Sequence, residues 1–143
     1  MAYDEGLRSI SLAADASIAG YTGVPGLPGS ADPNGGKQYK FVKVTGAKTA
    51  GLAVGASKEV VIGVLQNKPQ VTGQAATVAI RGVSRVVAGG NVNAGDTVTV
   101  ANDGEAVATT DNELVVGVAV TSGADQEIIS VLLATPANIK ATA

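Results

Sequence analysis

The chain has 143 residues, the size of a single domain, and carries a net charge of −2 at neutral pH. It contains no histidine and no cysteine, which excludes disulfides, thiolate nucleophiles, Cys/His zinc sites and the Ser–His–Asp and Cys–His catalytic arrangements. Aromatic residues account for only 3% of the chain and there are 19 glycines, so the core must consist mainly of small aliphatic side chains. Because many of these are β-branched, the composition predicts an all-β fold, a small β-barrel or β-sandwich of short strands and tight turns.

The sequence also argues against nucleic acid and membrane as partners. No basic run interleaved with aromatic residues is present, and no stretch approaches the ~20 apolar residues that span a bilayer. The first ten residues, MAYDEGLRSI, lack the basic start and apolar core of a secretory signal. We therefore expect a soluble protein that is made in the cytoplasm.

Residues 1–36 are predicted to form an extended, Pro/Gly-containing N-terminal arm. In SISLAADASIAG (9–20) the apolar spacing fits either a strand or a helix. The next stretch, YTGVPGLPGSADPNGG (21–36), contains three prolines and cannot continue as a regular helix or central strand. Such a segment is either a disordered tail or an arm that becomes ordered on a partner. Its candidate contacts with a partner or neighbouring subunit are the larger apolar residues Leu7, Ile10, Leu12, Tyr21, Val24 and Leu27.

Residues 37–143 are predicted to form the β domain. Short apolar or alternating stretches bounded by turn residues indicate strands. The predicted strands are 38–44, 58–65, 76–82, 83–88, 96–100, 105–109, 113–120 and 126–134. A bend is expected at Gly82, and Asp103–Gly104 is a strong hairpin signal because this pair tolerates the positive φ of tight turns.

One internal echo stands out. The stretch VVIGVLQ (60–66) resembles LVVGVAV (114–120), and each is followed by a polar turn and another strand. The echo indicates either two similar hairpins that close on one another in a barrel or sandwich, or a chance match between valine-rich strands.

Charge is unevenly distributed along the chain. Residues 37–85 contain eight basic residues and one acid, whereas residues 96–127 contain seven acids and no base. Either the acids simply occupy turns, where Asp is favoured, or the subunit is dipolar and places its basic side against the acidic side of a neighbour.

The glycine-rich stretch VVAGGNVNAGDTVTV (86–100) is the best candidate for a ligand loop. It lacks the Lys-Ser/Thr pair and the following helix of a phosphate-binding loop. It resembles the calcium-binding nonapeptide only once and imperfectly, although that motif functions by repetition. We therefore interpret Gly89 and Gly90 as a strand end, Gly95 and Asp96 as a turn, and Asp103–Gly104 as the next turn.

The remaining catalytic option is a pair of carboxylates. Asp103 with Glu105, and Asp111 with Glu113, lie in or beside turns with no sign of the apolar pocket that would raise one pKa. We expect no enzyme, no cofactor and no metal site.

Several stretches are similar, in their order along the chain, to the small decoration (cement) proteins on the capsids of tailed bacteriophages. They are QYKFVKV, IGVLQNKPQVTGQAATVAIRGVSRVVAGGNVNAGDTVTV, GEAVAT, LVVGVAV and EIISVLL, between residues 38 and 133. The resemblance implies a compact β-barrel or sandwich and a homotrimer on the outer capsid surface. It also implies that the protein stabilises the shell by bridging subunits of the major capsid protein. The N-terminal arm has no counterpart in the resemblance.

A protein of another class remains as the alternative, namely a receptor- or carbohydrate-binding β module of a phage head fibre or tail. Such a module needs a shallow surface with aromatic residues or a metal. The sequence offers three tyrosines, one phenylalanine and no histidine or cysteine, which favours the structural role.

Overall fold

The structure is a computed structural model that describes residues 6–19, 37–54, 60–101, 103–110 and 114–133. The regular secondary structure of these residues consists of ten β-strands, which confirms the all-β prediction. They are β1 (Arg8–Ala14), β2 (Phe41–Gly46), β3 (Thr49–Leu52), β4 (Gly63–Leu65), β5 (Ala75–Arg81), β6 (Val83–Val87), β7 (Thr97–Val100), β8 (Ala106–Ala108), β9 (Gly117–Ala119) and β10 (Ile128–Leu133).

The strands form two sheets that follow one another along the chain. Strands β1–β5 form a closed barrel in the order β1-β3-β2-β4-β5, in which β1 also pairs with β5. Strands β6–β10 form a second sheet in the order β6-β10-β9-β7-β8, and a parallel bridge between Ala88 and Ala106 joins its two ends. The sharp connection between the sheets is at Gly82, whose φ of 95° a side-chain-bearing residue rarely adopts.

The two sheets are structural repeats of each other, with the same strand order and the same pairing registers. We call β1–β5 the first repeat and β6–β10 the second repeat. Between β2 and β3, the pairs Val42↔Leu52 and Val44↔Ala50 correspond to Val98↔Ala108 and Val100↔Ala106 between β7 and β8. The β2–β4 pair Val42↔Gly63 corresponds to the β7–β9 pair Val98↔Gly117, and the β1–β5 pair Ile10↔Val78 corresponds to the β6–β10 pair Ser84↔Val131. The parallel pair Ala14↔Ala50 corresponds to the parallel bridge Ala88↔Ala106. Identical registers at these five residue pairs, which belong to four strand pairings, make a chance likeness of valine-rich strands untenable.

The cores of the repeats are built from equivalent positions. The first repeat packs Leu12, Ala14, Ile18, Val42, Ala50, Ile62, Leu65, Ala76 and Val78. The second packs Val86, Ala88, Val92, Val98, Ala106, Val116, Ala119, Ile129 and Val131 at the corresponding places. Small aliphatic side chains fill both interiors, as the composition predicts.

The sequence echo corresponds to a shared close approach of two strands. A Cβ on Gly63 would overlap the carbonyl oxygen of Ala79, and a Cβ on Gly117 would lie 2.6 Å from the carbonyl oxygen of Leu132. The echo is therefore a true repeat. The expectation that the two hairpins close on one another is wrong, because each hairpin (β4–β5 and β9–β10) belongs to its own repeat.

The N-terminal segment differs from the predicted arm. Arg8–Ala14 is a strand of the barrel, antiparallel to β5 and parallel to β3, so the β domain begins before residue 37. Its alternating side chains allow the strand form, and pairing on both edges selects it over the helix. Leu12 packs against the barrel core, so it is not an exposed contact residue.

Other boundaries follow the sequence prediction less closely. Strand β3 was not predicted, because TAGL (49–52) has neither a β-branched run nor alternation. The stretches 58–65 and 113–120 contribute only the short strands β4 and β9 among the described residues. The predicted hairpin at Asp103–Gly104 joins β7 and β8, and Gly104 has a φ of 73°.

Candidate functional site: the junction of the repeats and the uncovered barrel end

An apolar junction joins the two repeats. The outward side of β2 and β4, with the residues that flank them, packs on the second repeat. We call this surface face 1, and it comprises Phe41, Ala53, Val61 and Val64, together with Ala79 opposite Val64 on β5. All five are buried. Each buried aliphatic side chain of this size contributes about 1.5–3 kcal/mol relative to exposure, so the junction is a stable interface.

The second repeat contributes one end of its sheet to the junction. We call this surface end 2, and it comprises Ser84, Val100, Gly104 and Leu133. The side-chain amide of Gln66 donates a hydrogen bond to the Ser84 hydroxyl at 2.9 Å. Val100 belongs to the same buried cluster as Phe41, and Leu133 packs against that cluster.

Backbone hydrogen bonds show how deeply the first repeat enters the second. The Val87 N–H donates to the carbonyl of Tyr39 at 2.9 Å, and the Phe41 N–H donates to the carbonyl of Gly104 at 2.7 Å. The start of β2 therefore lies between β6 and the β7–β8 turn. A Cβ on Gly104 would lie 2.7 Å from Leu52 Cδ1, so this turn glycine also serves the close packing of the repeats.

Ion pairs border the junction. Lys40 Nζ lies 2.6 Å from Asp103 and 3.8 Å from Glu105, and Lys37 Nζ lies 3.4 Å from Asp103. Partial burial raises the pKa of Asp103. The hydrogen bond and charge of Lys40, together with the charge of Lys37, outweigh that effect and hold the pKa below its usual value of 3.8.

A small cleft lies at the junction of the two repeats. It is lined by Phe41, Val61, Ile80, Val116 and Leu133 and encloses about 10 Å³, which is room for about one water molecule. Among the described residues, no group of three or more acidic, histidine or cysteine side chains is placed to hold a metal. No described helix is long and apolar enough to cross a membrane.

The glycine-rich stretch 86–100 forms a turn with internal bonds. Gly95 has a φ of 95°, and its N–H donates to the carbonyl of Ala119 at 2.7 Å. The Asp96 carboxylate accepts a hydrogen bond from the Asn93 N–H at 2.9 Å. These bonds account for the turn without a ligand.

Gly89 is explained by its repeat equivalent. A Cβ on Gly89 would lie 3.0 Å from Glu105 Cβ and 3.3 Å from Val107 Cγ1, whereas a Cβ on Gly90 would be in ordinary contact with Val107 Cγ1 at 3.9 Å. The equivalents of Gly89 and Val107 in the first repeat are Asp15 and Gly51, and a Cβ on Gly51 would overlap the Asp15 carboxylate. In each repeat, glycine at one of the two positions relieves crowding with the side chain at the other, and the crowding is stronger at Gly51 than at Gly89.

Asp15 is a structural residue that sequence reasoning missed. Its carboxylate accepts hydrogen bonds from the Ser17 N–H at 2.8 Å and from the Thr45 hydroxyl at 2.8 Å. Partial burial raises the pKa of Asp15, but the hydrogen bonds of Ser17, Thr45 and the Ile18 backbone outweigh it and lower that pKa overall. The only sequence signal was the Asp-x-Ser spacing of a side-chain-capped turn.

The predicted contact residues have different fates. Leu7 and Ile10 are exposed on or next to β1, whereas Leu12 points into the barrel. Tyr21, Val24 and Leu27 lie outside the described residues. The structure therefore leaves two of the predicted apolar anchors available on a described surface.

These two residues belong to an apolar patch at one end of the barrel. The pairing directions place the start of β1, the end of β2 and the stretch before β4 at this end. The large apolar side chains exposed there are Leu7, Ile10, Val44, Val60 and, at the end of β5, Ile80. We call this surface end 1. The exposed basic residues Arg8 and Lys48 lie next to it in the chain or in the adjoining β2–β3 turn.

The comparisons with known proteins identify the fold. No protein-family model and no curated protein matches the chain. A solved structure, "The crystal structure of head fiber gp8.5 N base in bacteriophage phi29", is similar with a TM-score of 0.60 and 18% sequence identity. The likeness covers 91% of this chain and 96% of the other, so it takes in both repeats. At this identity it shows a shared fold.

Proposed function

We propose that this protein is a structural component of a phage virion, associated with the head. The observation that carries the proposal is the fold shared over nearly the whole of both chains with the base of a phage head fibre. A role in assembly is supported by the exposed apolar end of the barrel, since such patches mark protein–protein interaction sites. The apolar junction between the repeats, whose cleft encloses only about 10 Å³, resembles a protein–protein interface. We propose no enzymatic activity and no cofactor.

Within this role, we propose that the protein decorates and stabilises the outer capsid surface as a homotrimer that bridges major capsid protein subunits. This finer assignment rests on the sequence resemblance to cement proteins and on the exposed apolar patch at end 1. Neither nucleic acid nor membrane is part of the proposal.

The second candidate is a receptor- or carbohydrate-binding module, favoured by the head-fibre origin of the similar structure. Sugar recognition commonly uses exposed aromatic faces. Of the aromatic residues that the structure describes, Phe41 is buried and Tyr39 is half-buried at the junction. We therefore rank decoration first.

Mixing the purified protein with undecorated capsids tests the proposal. Saturable binding, with occupancy counted by cryo-electron microscopy, is the expected result. Absence of capsid binding together with binding to host-surface glycans would replace decoration with the second candidate.

A variant in which residues 20–36 are replaced by a short Gly-Ser linker tests the contact role predicted for Tyr21, Val24 and Leu27. Deletion of residues 1–36 would be ambiguous, because it would remove strand β1. Reduced capsid occupancy by the linker variant would support the contact role, and unchanged occupancy would exclude it.

A further inference from the structure

The second repeat carries a surface equivalent to face 1. Nothing in the described residues covers this surface to the same degree. We call it face 2, and it comprises Thr97, Val115, Val118 and Leu132, the equivalents of Phe41, Val61, Val64 and Ala79. These four residues of face 1 are buried, whereas their four equivalents on face 2 are partly or fully exposed. Ala53, the fifth residue of face 1, corresponds to Thr109, which is buried.

End 1 is the matching counterpart of end 2. Ile10 and Val44 occupy the positions of Ser84 and Val100. Val44 is 55% exposed and Val100 is 6% exposed, because the first repeat covers only the end of the second. The chain therefore presents one uncovered copy of each half of its own internal junction.

The uncovered pair carries one acid beside face 2 and one base in the turn beside end 1, so its polarity is the reverse of that in the internal junction. Within the chain, Lys37 and Lys40 of the first repeat face Asp103 and Glu105 of the second. The equivalents of the two lysines are Asn93 and Asp96 beside face 2. The equivalents of the two acids are Ala47 and Thr49 beside end 1, and they flank Lys48. Docked as in the internal junction, face 2 would bring Asp96 to the turn that carries Lys48.

We propose that face 2 of one copy docks on end 1 of a second copy, in the arrangement that face 1 and end 2 have within the chain. The contact is head-to-tail, so successive copies close into a ring when the rotation permits. The inference rests on the self-association included in the proposed function and names the surfaces that carry it. The reversed charges also oppose the wrong pairing, because Asp96 would meet Asp103 and Glu105 if face 2 approached end 2.

Two charge-introducing variants test the proposal. Leu132→Glu alters face 2 and Val44→Glu alters end 1, and both side chains are exposed in the single chain, so the fold should survive. Each variant should raise the dissociation concentration in analytical ultracentrifugation by about tenfold or more, since it places a carboxylate in an apolar contact. Unfolding curves check that the variants are folded.

Matched controls exist for both positions. Ile128→Glu changes a residue on the same strand that is 49% exposed, against 48% for Leu132, but its equivalent Ala75 is outside the internal junction. Val71→Glu changes a residue that is 62% exposed and lies before β5, at the opposite end of the barrel from Val44. Both controls should associate as the unaltered protein does.

A mixture of the two test variants gives the sharpest result. Val44→Glu retains face 2 and Leu132→Glu retains end 1, so an equimolar mixture should form one-to-one dimers at concentrations at which neither variant associates alone. A monomeric unaltered protein, unchanged association of either variant, or no dimer in the mixture would overturn the inference. Capsid occupancy measured on the same variants reports separately on the proposed function: a variant that stays oligomeric but loses capsid binding places the capsid, and not a second copy, on that surface.

Discussion

At the scale of single residues, the glycines of this chain serve different physical purposes. Gly95 and Gly104 supply positive φ angles in turns. Gly63 and Gly117 lack such angles and instead let a neighbouring backbone carbonyl approach closely. The sequence shows where the glycines are. Only contacts with residues distant in the chain show whether a glycine supplies a positive φ angle or allows a close backbone approach.

Substitution of Gly63 tests the close approach. Gly63→Ala should destabilise the protein by about 3 kcal/mol or more, because the new Cβ overlaps the Ala79 carbonyl oxygen and forces the strands apart. The matched control is Gly46→Ala, where the nearest atom, Thr49 Cβ, lies 3.7 Å away. The control should change the free energy of unfolding by no more than about 0.5 kcal/mol in denaturant titration. Equal effects of the two substitutions would contradict the steric explanation.

The carboxylate of Asp103 should make the junction sensitive to acid. Its pKa is below 3.8 in the folded protein, so its stabilising contribution is complete above about pH 4 and is lost as the pH falls through the folded pKa. Solvent screening of this half-exposed group limits the effect to roughly 0.5 kcal/mol or a Tm difference of about 1–2 °C. Thermal melts of the protein and of Asp103→Asn should therefore differ at pH 6 and converge as the pH falls through the pKa of Asp103 in the folded protein. A constant difference across that range would rule the ion pair out as the cause.

At the scale of elements, the connection between β1 and β2 distinguishes the repeats. Asp15 and Lys37 are separated by residues 16–36, whereas their equivalents Gly89 and Asn93 are separated only by residues 90–92. The second repeat shows that this topology closes with a three-residue connection. The Pro/Gly-rich stretch of the sequence is thus an addition to the first repeat and not a requirement of the fold.

Replacement of residues 20–36 by a four-residue Gly-Ser linker should preserve the barrel. Shortening a connection lowers the entropy cost of closing it by only ~0.6 kcal/mol per halving, so Tm should stay the same or rise slightly. Circular dichroism melts measure this. Loss of cooperative unfolding would show that the barrel depends on the replaced residues, and a linker of the same length and scrambled composition separates length from sequence.

The elements also show what sequence patterns could predict. The strands from residue 75 to residue 100 were visible as alternation bounded by glycines, and Gly82 marked the bend between β5 and β6. Strand β1 was ambiguous because its apolar spacing fits two periods, and only its pairing with β5 and β3 resolves it. The junction was not predictable, since nothing local tells which side of the alternating β2 faces a barrel interior and which faces another repeat.

At the scale of the whole molecule, the repeats are not equally self-sufficient. In the first repeat the Ala13 N–H donates directly to the carbonyl of Lys48 at 2.8 Å, which closes β1 on the β2–β3 turn. In the second repeat the corresponding groups bond to the first repeat. The Val87 N–H donates to the carbonyl of Tyr39, and the carbonyl of Gly104 accepts from the Phe41 N–H. Removing the first repeat would therefore leave polar backbone groups of the second unpaired.

Separated halves should behave accordingly. A fragment of residues 1–82 should give a β-sheet circular dichroism spectrum and unfold cooperatively, whereas a fragment of residues 83–143 should remain largely unfolded alone. Adding the first fragment should induce structure in the second, which nuclear magnetic resonance of the labelled second fragment would detect. Independent folding of residues 83–143 would contradict the dependence.

This one-sided dependence suits the direction in which a polypeptide leaves the ribosome. The half that closes itself emerges first and has time to form before the half that needs it is synthesised. Strands β6–β10 are then synthesised next to a first repeat that is already folded. Its strands are already paired and do not compete for pairing with β6–β10. In a chain whose two halves share one pairing scheme, such an order of events reduces exchange of strands between them during synthesis.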